Sequence, residues 1–120
     1  MTSEQPWAIE FYRDERGVAP VEEFLSKLDS GMRSKVSRAL GILEALGPRL
    51  PMPFARPVVG YRFWELRVQT GGNQTRVFYV AVKGRRIVLL HAFAKKTQRT
   101  PARELDIASR RWSEVLRESK

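Results

Sequence analysis

YRFWELRVQTGGNQTRVFYVAVKGRRIVLLHAF (Tyr61–Phe93) holds three β-type runs divided by turn sequences. YRFWELRV (Tyr61–Val68), TRVFYVAV (Thr75–Val82) and RIVLLHAF (Arg86–Phe93) are rich in β-branched and aromatic residues, which suit a pleated, buried surface. Thr-Gly-Gly-Asn-Gln and Lys-Gly-Arg separate them, and both are consistent with hairpin turns. Three consecutive hairpin-linked strands make an antiparallel meander.

Upstream, WAIEFYR (Trp7–Arg13) alternates and reads as a first strand. Pro20 suits the first position of a helix, and Val21, Phe24, Leu25 and Leu28 place one apolar face on it. Asp29 or Ser30 caps a second helix. Met32, Val36, Ala39, Leu40, Leu43 and Leu46 keep helical spacing along it until Gly47-Pro48 stops it. Two successive amphipathic helices form a hairpin whose apolar faces need a sheet to cover. GPRLPMPFARPVVG (Gly47–Gly60) carries four of the seven prolines and reads as a loop with extended pieces. Downstream of the meander, Thr100-Pro101 opens a last helix with Leu105, Ala108, Trp112 and Val115 on one face. The order is β-α-α-β-β-β-α. The expectation is an α+β fold in one domain over residues 1–120: a small antiparallel sheet, an N-terminal helical hairpin on one face and a C-terminal helix.

Composition bounds the function. Without Cys there is no disulfide framework, thiolate metal site or thiol nucleophile. One His and no suitable carboxylate cluster leave no basis for a zinc site. No phosphate-binding glycine loop and no GxSxG elbow appears, so no cofactor is expected. MTSEQPWAIEF lacks a basic segment followed by an apolar one, and no apolar run reaches the length of a membrane span. A cytoplasmic location without membrane attachment is expected. The net charge is +9, unevenly placed: 11 basic against 9 acidic residues up to Val82, then 11 against 4 from Lys83. Such a basic portion attracts nucleic acid, an anionic surface or an acidic partner.

The chemistry concentrates around the meander. Alternation puts Trp64, Leu66 and Val68 on one face of the second strand, under the helices. Tyr61, Phe63, Glu65 and Arg67 take the other. Arg67 near the end of one strand, Arg76 near the start of its hairpin partner, and Lys95 and Lys96 after the last strand converge on one patch. Like charges repel, so the cluster anticipates an anion with phosphates. Arg62, Lys83, Arg85, Arg86 and Arg99 are further candidate nucleic-acid contacts, although the KGRR turn (Lys83–Arg86) reads first as a solvated hairpin. His91, in phase with Leu89 and Phe93, reads as a buried, hydrogen-bonded core residue.

FWELRV, TRVFYV, IVLLHAFAKKTQRTP and RELDIASRRW together resemble the RelE/ParE superfamily of toxins, and most of all its phage-derived, HigB-like branch. The resemblance covers nearly the whole chain, and F-x-KKT-x-x-TP is its most specific part. It implies the toxin of a type II toxin–antitoxin system: a metal-independent endoribonuclease that cuts mRNA in the ribosomal decoding site. A ribose 2′-hydroxyl would attack the adjacent phosphate. The partner it implies is a helix-turn-helix antitoxin. By position, Arg67, Arg76, Lys95 and Lys96 match the family's catalytic cations. No Tyr or His follows His91, so the general base is left to a lysine of lowered pKa, Tyr79, Glu65 or the ribosome. The same superfamily includes non-enzymatic inhibitors of DNA gyrase, and a nucleic-acid binder without catalysis is the related alternative.

Overall fold

The computed structural model describes residues 5–47, 50, 54–96 and 99–118. Along the chain run β1 (Ala8–Phe11), α1 (Pro20–Ser26), α2 (Ser30–Leu46), β2 (Ala55–Pro57), β3 (Trp64–Thr70), β4 (Asn73–Val82), β5 (Arg86–Ala94) and α3 (Ala102–Glu118). Pro48, Pro51, Pro53 and the Thr97-Gln98 pair of the KKT-x-x-TP segment lie outside the described residues.

The strands form one five-stranded sheet in the order β1-β5-β4-β3-β2. β3, β4 and β5 are the expected antiparallel meander. β1 adds to its far edge in parallel, Ala8 opposite Arg86 and Phe11 opposite Leu89. The proline-rich stretch contains a strand that its composition hides. Ala55-Arg56-Pro57 pairs antiparallel with Leu66-Glu65-Trp64. Pro57 is tolerated because β2 is the sheet edge, where one N–H has no neighbour to reach.

Each face of the sheet has its own cover. Asp29 caps α2, its Oδ1 accepting from the Met32 amide at 2.9 Å, and Pro20 opens α1. The resulting helical hairpin places Val21, Leu25, Met32, Val36 and Leu43 against Leu66, Val68, Val77, Tyr79, Ile87 and Leu89. On the opposite face α3 sets Ala108 and Val115, flanked by Leu105 and Trp112, against Phe78, Val80, Val88 and Leu90. Burial of a large apolar side chain stabilises by about 1.5–3 kcal/mol, so these two clusters supply the main drive for folding. Among the described residues no helix is long and apolar enough to cross a membrane.

The pairing of β4 with β5 shifts by one residue: Phe78 faces His91, but Tyr79 faces Leu89. Leu90 is therefore a bulge, and the phase of the strand reverses there. His91 shares a face with Phe93, as expected, whereas Leu89 points to the other face. Strict alternation cannot anticipate this, because the extra residue spends one step without crossing the sheet.

The bulge sets His91 beneath α3 in a polar seam. His91 Nε2 lies 2.6 Å from Glu104 Oε1, and Nδ1 lies 3.3 Å from Arg111 Nη1. A guanidinium only donates, so Nδ1 accepts and the neutral ring carries its proton on Nε2, donating to Glu104. Arg111 also donates to the Leu90 carbonyl at 2.9 Å and sits over the Tyr12 ring. Tyr12 donates in turn to Glu114 at 2.7 Å. Desolvation holds the His91 pKa below its ordinary 6.5, against the opposing hydrogen bond that the ring donates to Glu104. The unfolded chain thus takes up this proton at a higher pH than the folded chain does. Stability is full above about pH 6.5 and falls as pH drops through the window between the two values. His91→Gln, whose amide can still donate to Glu104, should flatten that segment of the curve. Urea denaturation of both proteins from neutral to mildly acidic pH measures it; parallel curves would exclude His91 as the source.

Candidate functional site

Cross-strand partners share a face, and the register brings four charged residues together on the α3 side. Arg56 pairs with Glu65, Arg67 with Arg76, and Arg76 in turn with Phe93. Lys95 continues from β5, its amide donating to the Gln74 carbonyl at 2.9 Å. α3 packs chiefly on β5, so this end of the sheet opens into a cleft of about 710 Å³. Arg56, Arg67, Arg76, Lys95 and Lys96 line it, with Gly72, Asn73 and Gln74 at the β3–β4 turn. An aromatic wall (Phe63, Phe78, Phe93) stands behind the cations, its ring centroids 4.9 and 5.3 Å apart.

Among the described residues a single carboxylate balances this group. Glu65 is 2% exposed, and its Oε1 accepts from Arg56 Nε at 3.1 Å. Its Oε2 lies 3.8 Å from Arg76 Nε, close enough for an ion pair but too far for a hydrogen bond. Arg76 is 3% exposed and donates from Nη2 to Gln74 Oε1 at 2.6 Å. The Nε atoms of Arg67 and Arg76 are buried without a hydrogen-bond partner. An unmet buried donor costs about 1–3 kcal/mol, and like charges directly opposite on neighbouring strands add to the cost. The repulsion falls if an anion binds in the cleft. Burial pulls the Arg76 guanidinium down from its ordinary value; Glu65 opposes the shift while Arg67 and Arg56 add to it. Lys95 is lowered by burial first and then by Arg76, against a contribution from Glu65. The site therefore presents fixed positive charge and a lysine that gives up its proton more readily than a solvated one.

Arg67, Arg76, Lys95 and Lys96 thus meet as expected from the sequence, and Glu65 sits among them. Tyr79 does not. Its side chain packs under the helical hairpin on the opposite face, with its hydroxyl buried and unpartnered, and burial pushes its pKa to about 12. Arg85 and Arg86 are held elsewhere. Arg85, at φ +56°, sits 4.8 Å over the Trp7 ring and donates to the Gln5 carbonyl. Arg86 forks onto Glu10 at 2.8 and 2.9 Å. Arg86 opens β5 and Lys95 follows its last residue, Ala94, so the two lie nine strand steps or about 30 Å apart. Lys83 is exposed on the adjoining turn, Arg62 is exposed ahead of β3, and Arg99 is exposed ahead of α3. Arg56 is the member that the sequence did not announce: it lies in the strand concealed among prolines. Its signal was a lone cation between Ala55 and Pro57.

Residues 23–113 match the family model described as phage derived protein Gp49-like (DUF891). The chain belongs to the Gp49-like family of phage-derived proteins. No curated protein matches it. The span shared with the Gp49-like family runs from α1 into α3 and contains every residue of the cleft, while β1 lies outside it.

If Glu65 is the counter-charge of this cleft, Glu65→Gln keeps the shape but leaves the cations unbalanced. Loss of one partner from a buried ion pair costs about 3 kcal/mol or more. The variant should unfold at lower urea concentration, and inorganic phosphate should restore more stability to it than to the wild type. Arg76→Ala should also destabilise, because Arg76 is part of the packed sheet, though less, since Arg56 remains on Glu65. Equal midpoints for Glu65→Gln and wild type would rule out this role.

Proposed function

We propose that this Gp49-like protein is the toxin of a type II toxin–antitoxin system of RelE/HigB type, acting as an mRNA endoribonuclease in the ribosomal decoding site. The observation that carries the reading is the cleft itself, where Arg67 and Arg76 stand side by side against one buried carboxylate, their Nε atoms making no hydrogen bond, with Lys95 at their edge. That arrangement suits a phosphodiester. The sequence resemblance to RelE/ParE toxins and membership of the phage-derived family point the same way.

In the proposed reaction the ribose 2′-oxygen attacks the adjacent phosphorus, the bond to the 5′-oxygen breaks, and a cyclic phosphate forms. Charge grows on the non-bridging oxygens as the phosphorane develops. Arg67 and Arg76, both fixed on neighbouring strands of the sheet and Arg76 also held by Glu65, meet that charge already in place, which stabilises the transition state more than the ground state. Glu65 serves as counter-ion, because both its oxygens face arginines. Lys95 in its neutral form takes the 2′-hydroxyl proton, and the leaving 5′-oxygen gains a proton from solvent. A helix-turn-helix antitoxin that lays an acidic segment over the cleft would block all of these groups at once.

A non-catalytic inhibitor of DNA gyrase is the second reading. It is favoured by the placement of Tyr79 in the core and of Glu65 between two arginines, which leaves proton transfer to lysine.

Induced expression should arrest growth and generate new messenger 5′ ends, with gyrase supercoiling unaffected. In single-turnover cleavage of programmed ribosomes, Arg67→Ala should lose about a hundredfold or more in rate, about 3 kcal/mol. Lys83→Ala should leave the rate unchanged and only flatten its salt dependence. The rate should rise with pH towards the Lys95 pKa, which lies below 10.5, and that rise should vanish in Lys95→Arg. Supercoiling inhibition without new messenger ends would replace the nuclease by the gyrase reading.

A further inference from the structure

A second groove adjoins the cation cleft around the end of the sheet. It has a volume of about 460 Å³ and is lined by Lys35, Arg38, Ala39 and Ile42 of α2, by Phe54, and by Val68 and Gln69 of β3. Arg67 and Arg76 line both spaces, so the groove and the cleft share a wall. Phe54 is 51% exposed and Ile42 38% exposed, an unusual outlay of apolar surface beside so many cations. The Phe54 carbonyl accepts from the Arg67 amide at 2.8 Å, which ties the aromatic residue to the strand that carries the cleft arginine. Lys35 is anchored on the Gln69 carbonyl at the groove wall, and no acidic side chain lines the groove among the described residues.

We propose that this groove is a nucleobase subsite, in which a base of single-stranded RNA stacks on Phe54 while its cleft-side phosphate lies against Arg67 and Arg76. The inference rests on the ribonuclease reading and extends it by assigning a contact to a nucleotide next to the reacting phosphate. Three features favour RNA here over an amphipathic peptide helix. The α2 wall runs only from Lys35 to Ile42, about 10 Å along the helix, whereas a docked helix needs anchors over several turns. An exposed ring flanked by cations is the arrangement that holds single strands without reading sequence, since every base has a π-face. The shared wall at Arg67 and Arg76 continues the line of positive charge from one space into the other. Lys35 and Arg38 would then meet the next phosphate along the strand.

The test uses the full chain on ribosomes programmed with messengers in which single nucleotides flanking the cleavage point are replaced, one at a time, by abasic ribose. Wild type should lose about tenfold in single-turnover efficiency at one flanking position. Phe54→Ala should lose about the same on intact messenger and nothing further on that abasic messenger, the signature of a shared contact. Phe54→Trp should retain wild-type behaviour, and because Phe54 is exposed all variants should melt with the wild type. If wild type cleaves but Phe54→Ala matches it on every messenger, the subsite is wrong and the ribonuclease reading stands. If wild type cleaves no programmed messenger, both fall. If Phe54→Ala leaves cleavage intact but weakens binding of an acidic amphipathic peptide, the groove is a protein interface and the subsite assignment is overturned.

Discussion

β4 and β5 bury side chains on both of their faces, and each face needs its own cover. The helical hairpin takes one and α3 the other, but the two covers differ in reach. The hairpin packs beneath strands from β1 to β3, whereas α3 lies mainly along β5 and is fastened there by Glu104 on His91 and Arg111 on the Leu90 carbonyl. That placement leaves the opposite half of the α3-side face without a helix. Charged residues occupy this open end, where an apolar set would face water.

The open end is viable because its charge is only partly balanced from within. Glu65 satisfies Arg56 and faces Arg76, and buried Phe63 and Phe78 pack together on the same face of the sheet. Full neutralisation would have produced an inert ion-pair network. Here Arg67 and Arg76 stand opposite each other with the Nε of each making no hydrogen bond, and a bound anion would lower the repulsion between them. The contrast with the far end of β5 is instructive. Arg86 is matched there by Glu10 in a two-point contact, and Arg85 by a carbonyl and a ring. Those cations are spent on structure, whereas in the cleft Arg56, Arg67 and Arg76 share the one carboxylate of Glu65.

Membership of the Gp49-like family and the geometry of the cleft bear on function in different ways. The family match establishes kinship for the span that contains the cleft. The geometry limits the chemistry: fixed cations, one buried carboxylate as counter-ion and a lysine of lowered basicity suit charge stabilisation at a phosphate better than acyl transfer. The adjoining groove, with Phe54 at its rim, adds an apolar surface of a size suited to a ring.

Most of the architecture was legible in the order of residues, because the signals were local. Asp29 before Met32, Pro20 at a helix start, and apolar periodicity from Val21 to Leu46 and from Leu105 to Val115 each depend on neighbours a few positions away. Alternation from Tyr61 to Val68 likewise placed Glu65 and Arg67 opposite Leu66 and Val68. Tertiary structure decided what depends on partners distant in sequence. β2 exists only because β3 offers an edge to Ala55-Arg56-Pro57, so Arg56 joined the cleft unannounced. The bulge at Leu90 arises from fitting β5 against β4, and it moved His91 out of phase with Leu89. Tyr79 stood as a candidate general base, and only the strand register shows it buried under the helical hairpin, away from the cations. The sequence could say that cations were plentiful; which of them remain unpaired is set by where Glu10, Glu65 and Trp7 come to rest when the sheet closes.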